Sequence, residues 1–152
     1  MKASRLLIKK IKRFEGLRKK AYQDAKGVWT IGYGHTGEDV HEGDAISKQQ
    51  AEELLLNDLE MFERFVDSLN VCHNDQGKFD ALTDFAYNCG IENLKKSTLL
   101  LLIRENRSET EIRREFSKWI FSGGRKLKGL VKRRQWEADR FYGVKGWPAI
   151  HT

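Results

Sequence analysis

Proline is almost missing from this chain: Pro148 is the single one among 152 residues. With no Pro-rich stretch and no low-complexity run, a polyproline linker or a disordered tether is not expected. Cysteine is nearly as scarce. Cys72 and Cys89 form no CxxC pair, and His35, His41, His73 and His151 do not stand at zinc-ligand spacing. A disulfide scaffold and a metal site are therefore not expected, and no cofactor is. Cys89 falls on an apolar helical face with Phe79, Leu82 and Phe85, where a reduced, buried thiol is common. Long apolar runs are missing too. Nothing approaches the roughly 18 residues of a spanning helix, and lysines break the apolar runs of the basic start MKASRLLIKKIKRF, so it lacks a signal-peptide core. These absences predict no stable membrane insertion and residence in the cytoplasm of the cell that makes the protein. No internal repeat suggests a solenoid or propeller.

What is present is a globular composition, 39% apolar, with a net charge of +6. The charge is segregated. Residues 1–20 carry nine Lys/Arg against Glu15 alone, residues 38–92 carry fourteen Asp/Glu against three Lys/Arg, and residues 95–145 carry fifteen Lys/Arg against six Asp/Glu. Such a pattern fits helix faces that pair with one another in the fold. It equally fits a basic surface that attracts a polyanion. Nucleic acid is not the expected partner, because the chain shows no helix-turn-helix, aromatic RNA-binding motif or zinc framework.

Apolar spacing predicts a short amphipathic helix over residues 4–14, stopped by Gly16. The helical period is then lost. Ala21-Tyr22 and Val28–Tyr33 read as short strands around an Asp24–Gly27 turn. Helices are expected over 47–69, with Ser47 and Gln50 as a capping box, over 75–89, over 98–105 and over 108–121, with Ser108 and Glu111 as a second capping box. Gly123-Gly124 reads as a loop, and a last helix is expected over 132–142. The fold class is α+β: a single domain over 1–152 with a small β lobe at about 15–46, a long joining helix at 47–69, and a larger helical lobe at about 70–145 that includes the first helix. A cleft between the lobes would suit a polymeric substrate.

The densest chemical signal lies in EGLRKKAYQDAKGVWTIGYGHT, from Glu15 to Thr36. It holds carboxylates at Glu15 and Asp24, a hydroxyl at Thr30, and glycines at 16, 27, 32 and 34 that allow tight packing and unusual dihedrals. Two carboxylates on a short, turned segment are what hydrolysis of a glycosidic bond uses, one giving a proton to the leaving oxygen and one serving the anomeric side.

This segment resembles the catalytic stretch of the phage-type lysozymes, glycoside hydrolase family 24. Gly129–Glu137, GLVKRRQWE, resembles the family's C-terminal GLxxRRxxE signature, and Phe79–Gly90 with Lys96–Ile103 resemble its central helices. The resemblance implies a lysozyme-like fold and cleavage of the β-1,4 bond between N-acetylmuramic acid and N-acetylglucosamine in bacterial peptidoglycan. A monomer is expected, released to the wall through a membrane pore made by another protein. A non-catalytic, glycan-binding relative would be expected to have lost Glu15 or Asp24, and both are present.

The resemblance implies Glu15 as general acid and Asp24 on the anomeric side, either positioning water or stabilising an oxocarbenium-like transition state. The Thr30 hydroxyl would help Asp24 hold the water. A water between the carboxyls fits inversion, for which they stand about 6.5–9.5 Å apart. It also implies that Arg133 faces Glu15. A general acid must start with its proton, which burial favours and a close cation opposes. Lys132 and Arg134 read as solvated or as meeting anionic glycan. His35 is expected to pair with Asp58 as a clamp between lobes, with its imidazolium stabilised. Thr36, Tyr87, Asn88 and Thr98 match cleft-facing positions, although Tyr87 reads equally well as core.

Overall fold

The computed structural model describes residues 1–143. His151 and the last positions of the expected helical lobe, 144 and 145, lie outside the described residues. The chain forms two compact units, Ile8–Met61 on one hand and Met1–Leu7 with the chain from Phe62 onward on the other. Among the described residues no helix is long and apolar enough to cross a membrane.

The first unit takes most of helix α1, Arg5–Glu15, then strands β1, Arg18–Gln23, β2, Trp29–Gly32, and β3, His35–Thr36, and the start of helix α2, Lys48–Leu69. The helix α1 ends because Gly16 takes a left-handed φ of +74°, and its N–H closes on the Lys12 carbonyl at 2.9 Å. The strands form an antiparallel sheet in the order β1-β2-β3, with Tyr22 opposite Thr30 and Thr30 opposite Thr36. A bulge between Arg18 and Tyr22 turns the first strand. Ile31 and Tyr33 from the sheet region, and Ala51, Leu55 and Leu59 from α2, are buried. The capping box at the start of α2 forms reciprocally: Gln50 N–H donates to Ser47 Oγ at 3.1 Å, and Ser47 N–H to Gln50 Oε1 at 2.8 Å.

The second unit is helical. Helix α3, Gln76–Cys89, runs through the centre, capped by the Asp75 side chain. It is followed by α4, Ile91–Lys96, α5, Thr98–Arg104, α6, Glu109–Ser117, a hairpin of β4, Phe121–Ser122, and β5, Arg125–Lys126, and α7, Lys128–Tyr142. Sequence periodicity missed α4, which at six residues is too short to show one. The helix expected to reach 121 stops at Ser117, because residues 121–126 pair as a hairpin around Gly123-Gly124. The last helix starts at Lys128, earlier than the apolar spacing showed. Phe79, Leu82 and Phe85 of α3 are wholly buried with Leu99, Leu100 and Phe116. The Phe85 ring meets Phe116 and Trp119 edge-on, with centroids 6.1 and 5.3 Å apart.

Ion pairs buried between α3 and α7 accompany this apolar core. Asp80 is fully buried and accepts from the Ser4 N–H and hydroxyl, from Gln76 Nε2, and from Arg140 Nε and Nη2 at 3.1 and 2.8 Å. One turn on, Asp84 is equally buried and takes Arg133 Nε at 2.9 Å and Nη2 at 2.8 Å. Arg134, expected to be solvated, is only 1% exposed. Its guanidinium donates from Nη2 to Glu137 Oε2 at 3.0 Å and to Asn88 Oδ1 at 2.7 Å, contacts the Cys89 sulfur, and stacks on the Phe85 ring 5.1 Å from its centroid. Nε is also 2.8 Å from Glu137 Oε1, a close contact without hydrogen-bond alignment. Cys89 is therefore half-buried against a cation rather than in a purely apolar setting.

Burial, then the hydrogen bond to Asp84, pushes the Glu137 carboxyl well above its usual range. Burial opposes ionisation of Asp84 as well, but Arg133 and the Glu137 bond outweigh it and hold Asp84 below its usual value. The two helices approach so closely that a Cβ on Gly77 would lie 2.4 Å from the Arg140 carbonyl oxygen. In urea unfolding, Arg134→Ala is expected to cost about 3–5 kcal/mol, the range for breaking a buried ion network. Gly77→Ala is expected to cost about 1–3 kcal/mol through overpacking.

Candidate active site

Glu15, Asp24 and Thr30 all lie in the Ile8–Met61 unit, on three successive pieces of chain. Glu15 is the last residue of α1, half-buried and immediately before the Gly16 cap. Asp24 occupies the turn between β1 and β2. Its N–H donates to the Val28 carbonyl at 2.9 Å, and its carbonyl accepts from Gly27 N–H at 2.9 Å. The side chain closes the turn on itself. Asp24 Oδ1 accepts from the backbone N–H of Lys26 at 2.8 Å and of Val28 at 2.9 Å, the local geometry that makes Asp a turn residue. Oδ2 accepts no hydrogen bond from the described residues. The carboxylate is thus aimed by the backbone, with one oxygen left to a ligand or water.

Thr30 is buried at 4% exposure in the centre of β2. Its hydroxyl donates to the Val28 carbonyl at 3.0 Å. With its proton committed there, Thr30 Oγ1 can only accept from a further partner.

His35 opens β3 and bridges two carboxylates. Nδ1 lies 2.8 Å from Asp58 Oδ2 on α2, and Nε2 lies 3.0 Å from Asp39 Oδ2 in the loop after β3. Both partners belong to the same compact unit as His35. The pair expected to clamp two lobes therefore ties sheet to helix within one of them. Asp39 was not singled out from the sequence, although its spacing of four from His35 was visible. Burial works against the charged imidazole, but the bonds to Asp39 and Asp58 outweigh it and raise His35 above 6.5. The hydrogen bond to His35 lowers Asp39. For Asp58 burial is the larger influence and raises it despite His35. Among the described residues no group of three His, Cys, Asp or Glu could hold a metal ion.

The other candidates are spread over both units. Thr36 pairs with Thr30 across the sheet and is exposed. Tyr87, near the end of α3, is half-buried with its ring edge-on to Phe62, centroids 5.4 Å apart. Asn88 Oδ1 is taken by Arg134, which places this side chain in the buried network. Thr98 is the exposed first residue of α5. Arg133 forks onto Asp84. Sequence reasoning missed Asp80, Asp84 and Glu137. The available signal was the spacing of four between Asp80 and Asp84 on an otherwise apolar helix.

The phage lysozyme family model matches residues 12–137. The chain is 46% identical to an endolysin of Bacillus phage B103 over 93% of its own length and 54% of the relative's. It is 38% identical to an endolysin of Acyrthosiphon pisum secondary endosymbiont phage 1, over 86% of this chain and 91% of the other. The chain thus spans about half the length of the Bacillus phage relatives it matches. Among solved structures, the muramidase domain of SpmX from Asticaccaulis excentricus superposes with a TM-score of 0.82 at 37% identity, covering 92% of this chain and 97% of that one. An endolysin from Escherichia coli O157:H7 phage FAHEc1 gives a TM-score of 0.82 at 34% identity, covering 96% and 95%.

The raised His35 gives a pH test. A group whose folded value lies above its unfolded one contributes stability that is complete below the unfolded value of 6.5 and is lost as pH rises through the folded value. Thermal melts of wild type and His35→Gln should therefore differ most at acid pH, with the gap closing above neutrality. A gap that widens with pH would contradict the assignment.

Proposed function

The chain belongs to the phage lysozyme family, and from that premise we propose that it is a peptidoglycan hydrolase, an endolysin-type muramidase that cleaves the β-1,4 bond between N-acetylmuramic acid and N-acetylglucosamine. The observation that carries this reading is the arrangement of Glu15, Asp24 and Thr30 on a helix C-terminus, a self-closed Asp turn and a strand of one compact unit. Each position is set by backbone geometry rather than by a long flexible side chain.

In this mechanism Glu15 gives its proton to the leaving glycosidic oxygen as the C–O bond breaks, and positive charge builds on the anomeric carbon. Asp24 and Thr30 hold the water. Asp24 Oδ1 is occupied by two N–H groups, so Oδ2 accepts one water proton. Thr30 Oγ1, whose own proton goes to Val28, accepts the other. A water that donates both protons turns its lone pair outward, toward the anomeric carbon. As the new bond forms, Asp24 takes the proton. Attack opposite the leaving group inverts the anomeric centre. Thr30 is then a positioning residue. Thr36 would touch the glycan.

Clearing of purified peptidoglycan measures the assignment. Glu15→Gln keeps the shape and removes the proton, and a loss of roughly 10²-fold or more is expected, the usual worth of a general acid. Full activity in the variant would remove Glu15 from that role, and an inactive wild type would favour a non-catalytic wall-binding module. NMR of the first-formed reducing end should show the α anomer. A β product would mean retention. Thr30→Ser keeps the acceptor and should retain most activity, whereas Thr30→Val removes it and should not.

A further inference from the structure

A second concave site lies wholly within the helical unit, in a cavity of about 450 Å³ walled by the α2–α3 connection, the α5–α6 connection and the end of α7. Its walls carry His73, Lys78, Arg104 and Arg107 and no Asp or Glu. Arg107 is matched by Glu111 at 2.8 Å and Glu105 at 3.8 Å. Arg104 and Lys78 have no carboxylate partner among the described residues, and the Lys78 ammonium lies over the Phe141 ring at 5.5 Å. Two cations left without counter-charge around one cavity make an anion site.

Two further features narrow the ligand. The floor is apolar, made by Val71, Ile103, Ile112 and Phe141, all buried. The rim carries the amides of Asn70 and Asn106, which both donate and accept hydrogen bonds. A bare phosphodiester offers no donor and no apolar body to such a site, whereas a peptide offers both along with its carboxylate. Asn70, His73 and Asn106 also hold left-handed φ values of 56°, 50° and 54°. Three of the four left-handed non-glycine residues of the described chain line the cavity, and two of them, Asn70 and Asn106, follow the ends of α2 and α5, where Asn commonly takes this conformation.

We propose that this cavity binds a short peptide through a free carboxylate, with Lys78 and Arg104 as the charged partners and the apolar floor under a small side chain. The ligand in the cell is the peptide stem of the bacterial wall; this source rests on the muramidase reading above, while the carboxylate chemistry does not.

The test is an NMR titration of the full ¹⁵N-labelled chain with the tetrapeptide L-Ala-γ-D-Glu-L-Lys-D-Ala. The probe has no glycosidic bond, so its binding is independent of Glu15, and failed peptide binding is separate from failed wall clearing. Shifts are expected at Val71, His73, Arg104 and Asn106. The Lys78→Gln/Arg104→Gln variant should bind roughly tenfold or more weakly, the loss expected for charge-assisted bonds. Thermal melts check its fold, and the exposed single change Arg104→Gln gives the same readout if the double variant does not fold. The same peptide with both carboxyls amidated should lose binding to a similar degree. Equal binding of the amidated peptide, unchanged binding by the variants, shifts confined to other residues, or displacement by equimolar inorganic phosphate would each overturn the proposal. An all-L acidic tetrapeptide binding as tightly as the wall peptide would overturn the assigned source.

Discussion

Two carboxylates with no access to water, Asp80 and Asp84, constrain the helical unit more than any other feature. An ionised carboxylate in an apolar interior is costly unless cations and donors surround it. These two sit one turn apart on the helix that also supplies Phe79, Leu82 and Phe85 to the core. The helix α3 can therefore be buried only if α7 delivers Arg133 to Asp84 and Arg140 to Asp80. The rest of the unit follows from that demand. Gly77 removes the side chain that would hold the helices apart. Burial and the neighbouring Asp84 push the Glu137 carboxyl well above its usual range. Ser4 brings the start of the chain onto Asp80. Within the GLxxRRxxE-like signature, Arg133 is the residue that neutralises Asp84.

The same network resolves part of the charge segregation. The basic ends and the acidic middle pair within the helical unit: the N-terminus with Asp67, Lys2 with Glu63, Arg140 with Asp80 and Arg133 with Asp84. The exposed pairs contribute little to stability, while the buried ones specify which helix lies against which.

In the β unit the candidate catalytic side chains are held by local backbone devices. A glycine cap places Glu15, a side-chain-to-backbone turn places Asp24, and a central strand places Thr30. Such devices depend on neighbours a few residues away, which is why this segment was readable in one dimension. The His35–Asp58 bond joins sheet to helix over 23 residues and came from the family resemblance rather than from spacing. Asp39, only four residues from His35, went unnoticed because a charged loop residue looks like any other.

By itself, the sequence determined the α+β class, most helix positions, the capping box of α2 and the Ser108 cap of α6, since periodicity and caps are short-range properties; the three candidate catalytic side chains took their roles from the family resemblance. It determined the family as well, through motifs in the right order. Only the tertiary structure decided the fate of the charges. Arg134 reads as solvated in one dimension and is 1% exposed in three, and Asp84 reads as an ordinary helical acid. Whether a charge is buried depends on what arrives against it from another helix; for Asp84 that partner lies 49 residues away. No local pattern carries that information, because the cost of burial and the cation that offsets it meet only when α3 and α7 pack.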